Sequence, residues 1–306
     1  MRLFRISLLA LAATATSAQE PAPVDFSAHW HDGYAELNGY RWEGARYGES
    51  RSGQAVMVFV TEPFSETKRV KVNDHSRNPD DTVDVLKLNL VRDFQTGIYD
   101  YNTMVSVFVR TSDFSPVKTT FTSAEWCGHV YGEQRFGEKE LREQYFSYFE
   151  DETGDRTLEW KPGGVTEDHL FIQLRGLRGD FLAPGERKSF PLLPGMFFRR
   201  LAHRVLAWTT VDIARLDELQ RVTVPAGTFE TITYVLTADD RRAQFDIESA
   251  YPHRIVKWSW SSLSAAGPSG ETGELTGTAR LKYWRLNDNG HESYLEELGL
   301  APLPGN

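Results

Sequence analysis

From residue 34 onward, hydrophobic and polar positions alternate with a period of two. The pattern runs through 34–42, 55–61, 83–94, 104–111, 117–131 and 141–151, then through 203–216, 221–224, 228–237, 242–249, 254–261 and 274–286. Successive side chains on a strand point to opposite faces, so each segment predicts a ribbon with one apolar face. Turn-forming residues fill the gaps: Asn78-Pro79-Asp80, Thr96-Gly97, Ser112 to Pro116, Glu152 to Asp155 and Pro225-Ala226-Gly227. Strands joined by short turns run antiparallel, because a parallel neighbour needs a long crossover. The pattern therefore predicts a mainly β protein, built on a large antiparallel sheet.

One stretch departs from the period of two. Thr166, Glu167 and Asp168 place a capping residue and two acids ahead of Leu170, Phe171, Leu174 and Leu177, whose spacing lines one face of a short central helix. Arg175 and Arg178 suit the negative end of its dipole. The helical connection spans 162–187 and separates an N-terminal β half, 34–161, from a C-terminal meander, 188–288. The halves form either two sheets or two domains, with a boundary near 162–164. The Ser- and Gly-rich 264–273, and 295–306 within the tail 289–306, are expected to carry little order.

The N-terminus changes the picture. Arg2 and Arg5 precede an apolar run at 6–13, and small residues follow, with Ala15 or Ala18 at the end. This is the layout of a cleaved signal peptide covering 1–18, with 19–33 as linker and first segment, so a periplasmic or extracellular location is expected. No later stretch reaches the roughly 18 apolar residues of a membrane helix. Cys127 is the single cysteine, which excludes an internal disulfide framework. The formal charge is −9, and loss of Arg2 and Arg5 takes it two units lower, so nucleic acid is a poor partner. The aromatic share of 12%, with eight Trp, favours pleated surfaces and apolar clefts.

Candidate chemistry gathers in two short runs, His29-Trp30-His31-Asp32 and Glu125-Trp126-Cys127-Gly128-His129. Were both extended, His29 and His31 would share one face, and Glu125, Cys127 and His129 another. Imidazole and thiolate donors suit Zn²⁺, so His29, His31, Cys127 and His129 form a candidate metal set and a zinc-dependent hydrolase is one reading. A Cys127 nucleophile would need a base from elsewhere, since same-face neighbours on a strand sit about 7 Å apart, beyond hydrogen-bond reach. Without such convergence, Cys127 reads as a small buried hydrophobe. Phe197-Phe198-Arg199-Arg200 reads as an exposed strand or loop edge. Trp258, Trp260 and Trp284 either belong to the core or line an apolar groove. No phosphate loop, Gly-x-Ser-x-Gly elbow or His-Glu-x-x-His helix is present.

His31-Asp32-Gly33-Tyr34-Ala35-Glu36, Ala45-Arg46-Tyr47-Gly48-Glu49 and Glu125-Trp126-Cys127-Gly128-His129 resemble an uncharacterised family of exported bacterial proteins. Some members carry the name septum formation inhibitor, after the Maf nucleotide pyrophosphatases, whose Ser-x-Ser-Pro-Arg-Arg motif this chain lacks. Val224 to Thr231 and Tyr251 to Trp258 are similar to a bacterial envelope domain of unknown function, and so to the half-barrels of lipoprotein-carrier proteins. That likeness implies a curved sheet or half-barrel; taken with export, the aromatic content and the missing enzyme motifs, it implies a non-catalytic protein without cofactor, which binds a lipid or other apolar small molecule, or an envelope protein. A scaffold that recognises a protein through an open sheet edge is a further alternative to the zinc enzyme.

Overall fold

The computed structural model describes residues 25–302. The leader expected at 1–18, linker residues 19–24 and the last four residues lie outside them. Helix α1 (Phe26–Trp30) precedes a run of hairpins made by β1 (Ala35–Arg46), β2 (Glu49–Ser65), β3 (Thr82–Thr96), β4 (Tyr99–Arg110), β5 (Pro116–Glu125), β6 (Gly128–Phe136), β7 (Glu140–Ser147) and β8 (Gly154–Glu159). The short β9 (Val165–Thr166) leads into α2 (Glu167–Gln173), and β10 (Arg187–Leu193) into α3 (Met196–Ala202). The chain then returns through β11 (Thr209–Arg215), β12 (Gln220–Val224), β13 (Gly227–Ala238), β14 (Arg241–Glu248), β15 (Ile255–Ser262) and β16 (Glu271–Leu281).

All sixteen strands among the described residues belong to one sheet. It runs from β8 at one margin to β1, crosses to β16, and continues through β15, β14, β13, β11 and β10 to β9, with β12 paired to β13 alone. The two β-rich halves therefore join where β1 pairs antiparallel with β16. Every pairing is antiparallel except that of β9 with β10.

Curvature follows from connectivity. Laid flat, the strands in line from β8 to β9 would span roughly 67 Å at about 4.8 Å each. Yet residues 160–164 alone join those two margins, and so short a segment reaches about 20 Å at most. The sheet must curl until its margins approach. They meet through side chains: Phe136, Leu141, Leu193 and Leu206 form a small cluster with Trp160 and Trp208 against it, and Trp208 Nε1 donates to the Glu159 carbonyl at 3.1 Å. No ladder bridges β8 and β9, so the curled sheet stays unclosed.

The alternation predicted from sequence places apolar residues on the concave face. There Tyr40, Trp42, Phe59, Leu88, Phe121, Phe245 and Trp258 share one core with Leu170, Phe171 and Ile172 of α2 and Met196 and Phe197 of α3. The two helices form a plug inside the hollow. Thr166 caps α2 by accepting from the His169 amide, as its position predicts.

Four expectations need correction. The segment read as one strand over 117–131 is two, since Trp126 and Cys127 form the tight turn between β5 and β6. A single central helix was expected, but Phe197, Phe198, Arg199 and Arg200 lie in a further helix, α3, with both arginines buried rather than on an exposed edge. Residues 283–285 form a 3-10 turn instead of continuing β16. The tail is ordered over His291–Leu298, a 3-10 segment that buries Leu298 against the convex face. Gly39 and Gly277 allow that approach, because a Cβ on either would fall 2.1 or 2.3 Å from the Leu298 or Glu297 carbonyl oxygen.

Candidate functional site: the cavity beside the plug

Charged residues fasten the plug to the sheet. Arg175, just after α2, pairs with Glu36 of β1 at 2.9 Å and donates to the Pro252 and His253 carbonyls. Arg199 of α3 grips Glu143 of β7 at 2.5 Å, Arg200 pairs with Glu125 of β5, and Glu167 of α2 takes both outer nitrogens of Arg241 of β14 at 2.8 and 3.2 Å. All of these groups are buried. Ion pairs removed from water add little net stability, because desolvation offsets their attraction, but an unpaired member would be costly, so they fix where the plug sits.

A gap remains between plug and sheet. It is a cavity of about 220 Å³, walled by Phe171, Phe197, Phe198, Leu201 and Trp260. Its polar side combines Arg92, which holds Glu271 bidentately at 2.7 and 2.8 Å, with Arg241, Glu167 and Asp168. Trp42 Nε1 also donates to Glu271, at 2.6 Å. Arg92 lies 4.2 Å from the Phe197 ring centre, and Arg241 lies 3.6 Å from that of Phe198 and 4.5 Å from that of Trp260. Two buried donors at this cavity, Arg92 Nη1 and Trp260 Nε1, have no acceptor among the described residues.

Glu167 and Asp168 serve α3 as well as α2. Glu167 accepts from the Gly195 amide at 3.1 Å and Asp168 from the Met196 amide at 3.0 Å, so both cap the amino end of α3. A Cβ at residue 195 would come within 3.0 Å of Asp168 Oδ1, which explains glycine there. Burial, offset in part by the Met196 amide and aggravated by the neighbouring Glu167 charge, pushes the Asp168 carboxyl up to about 6. Next to it, burial brings the His169 imidazole down to about 3. His169 is held by Thr166 Oγ1 at 2.7 Å and packs edge-on against Phe136.

The candidate metal ligands are not brought together. His29 sits in α1 against Arg280 and Tyr251, and burial followed by the Arg280 charge lowers its pKa. His31 follows that helix and packs on Phe26, which in turn packs on Phe114 in the turn before β5. Cys127 and His129 lie beyond the other end of β5. The ten residues of β5 separate the pairs by roughly 30 Å at about 3.3 Å each. One ion cannot bridge that span. Among the described residues, no group of three or more His, Cys, Asp or Glu is placed to hold a metal. Cys127 is exposed, not the buried hydrophobe of the alternative reading.

The three tryptophans also separate. Trp258 is core, edge-on to Tyr40 and Phe171. Trp260 lines the cavity. Trp284 is half-exposed in the 3-10 turn, beside a shallow depression with Gly33, Tyr34 and Val60.

Sequence reasoning missed the ion pairs that fasten α3 to the sheet, although a signal existed. Glu143 stands in phase with Leu141 and Tyr145, and Glu125 in phase with Phe121 and Ser123, all of them buried. A carboxylate in the apolar register of a strand requires a buried cation. The adjacent Arg199 and Arg200 supply those cations.

Fold and site together define a curled, unclosed antiparallel sheet with an ion-paired helical plug and a small cavity at one end. Among solved structures the chain is similar to a β-barrel-like protein of a domain of unknown function, DUF1849, from Brucella abortus. Identity is 11% and the TM-score 0.47, over 81% of this chain and 98% of that one. No family model matches the sequence, and no curated protein matches it.

Proposed function

We propose that this is an exported, non-catalytic binding protein that holds a small apolar or amphiphilic molecule in the cavity between α3 and the concave face. The observation that carries the reading is the cavity itself, with its aromatic walls. At 220 Å³ it lies below the usual range of drug-sized pockets. At roughly 30 Å³ per heavy atom it accommodates about seven or eight atoms, the size of a short acyl chain or the end of a longer one. Three carboxylates, Glu167, Asp168 and Glu271, face two guanidiniums, Arg92 and Arg241, so an anionic head is disfavoured. A neutral hydroxyl or ester head brings no charge beside those carboxylates and is the better fit.

Titration of delipidated protein with 1-octanol and octanoate, followed by calorimetry, tests this. Octanol is expected to bind at one site, octanoate more weakly at pH 8 than at pH 5, and Leu201→Trp to fill the space and abolish both. Absence of saturable octanol binding, or unchanged binding in a folded Leu201→Trp protein, defeats the proposal.

A further inference from the structure

The most exposed large hydrophobic residues all occur at one end of the sheet. Tyr47, Ile98, Trp126 and Tyr148 are 58%, 80%, 69% and 66% exposed, and Val205 and Leu263 are each 60% exposed, whereas every other exposed large hydrophobic among the described residues is at 55% or less. The first four occupy the consecutive connections β1–β2, β3–β4, β5–β6 and β7–β8. Contacts link these tips into one rim. Tyr99 donates to the Tyr47 hydroxyl at 3.2 Å, its ring lies 6.3 Å from that of Trp126, and Tyr148 packs over Gly128. Val205 borders the β7–β8 loop. The Ala45 amide donates to Gly270, which ties the loop bearing Leu263 to the end of β1.

Hairpin tips normally carry Gly, Asn or Asp, which accept the required backbone angles and remain in water. Here Tyr47 adopts a φ of 57° at a position suited to those residues. These side chains touch one another and their neighbours along the rim, yet more than half of each stays in water, so burial repays the fold little for their size. Neighbouring tips recur every second strand, about 10 Å apart, so the four form an arc of roughly 30 Å with one apolar side chain per step. A fluid interface can accept such isolated side chains one by one, whereas a protein partner would need a matching pocket for each. Trp and Tyr favour the headgroup region of a bilayer. The exposed charges between the tips include Asp100, Glu150 and Asp151, and Arg51 is paired with Glu49, which argues against an anionic surface.

We propose that this rim docks on a zwitterionic lipid bilayer, with Tyr47, Ile98, Trp126 and Tyr148 entering the interface. The docking is independent of what the cavity holds.

The test is co-sedimentation of the full chain with phosphatidylcholine vesicles, alongside vesicles containing phosphatidylglycerol. Wild-type protein is expected to bind phosphatidylcholine with little dependence on salt and more weakly when phosphatidylglycerol is added. Replacing Tyr47, Ile98, Trp126 and Tyr148 together by Ser should leave a protein that still unfolds cooperatively, with only a small loss of thermal stability from the Tyr47 hydrogen bonds to Tyr99 and Tyr101, and weaken partitioning at least about tenfold. Brominated acyl chains read insertion directly: they should quench a fluorescence component that Trp126→Phe removes. Wild-type protein that stays in the supernatant, equal partitioning of the fourfold variant, or no quenching assigned to Trp126 overturns the proposal and leaves the rim to a protein partner.

Discussion

Asp168→Asn isolates the effect of one carboxyl sealed beside the cavity. In the folded chain this group titrates near pH 6, against 3.8 for the free side chain. Between those values the folded protein keeps a proton that the unfolded chain has released. Its stabilising contribution is therefore complete below about pH 4 and is lost as pH rises through 6. The difference of roughly two units, at about 1.4 kcal/mol each, amounts to about 3 kcal/mol. Asn cannot ionise, yet its carbonyl oxygen can still accept from the Met196 amide. Urea unfolding of both proteins at half-unit steps from pH 4 to 8 supplies the comparison. The stability of the variant minus that of the wild type is expected to climb by about 3 kcal/mol across the range, mostly between pH 4 and 6. His169 titrates in the opposite sense, since its lowered pKa makes folding lose stability as pH falls from 6.5 toward 3. Being present in both proteins, it cancels from the difference. A difference curve that stays flat would mean that water reaches Asp168 and that the cavity wall is wet.

Two further outcomes test the packing. Arg175→Met should cost about 3–5 kcal/mol in chemical unfolding by stranding Glu36 in the core, and adding Glu36→Gln should recover part of that loss; equal stabilities of the single and double variants would contradict the pairing. Gly39→Ala places a methyl group 2.1 Å from the Leu298 carbonyl oxygen, so about 1–3 kcal/mol of overpacking is expected, with faster proteolysis beyond Leu281 as its local sign.

Much of the sheet was legible because a period of two says which residues share a face. Val83 to Phe94 and Thr228 to Thr237 lie within β3 and β13 almost residue for residue. Period alone does not mark a sharp reversal whose tip is apolar. Trp126 and Cys127 continue the alternation across a turn, and the metal reading rested on that false continuity. The second helix escaped notice because α3 is short and surrounded, so Phe-Phe-Arg-Arg shows no polar face. Its arginines are recognisable only once the carboxylates opposite them are seen to lie in the buried register. Nor does periodicity reveal that the sheet curls, which depends on the brevity of 160–164 once the strand order is known.

The juxtaposition of β1 and β16 has a consequence during synthesis. The strand made first acquires one of its two neighbours immediately, through the hairpin with β2, but the other is the last strand to emerge. Until then alternate residues of the twelve-residue β1 turn unsatisfied backbone donors and acceptors outward, an edge open to mispairing with another copy. A chaperone that shields that edge until translation ends would act where the architecture is most vulnerable.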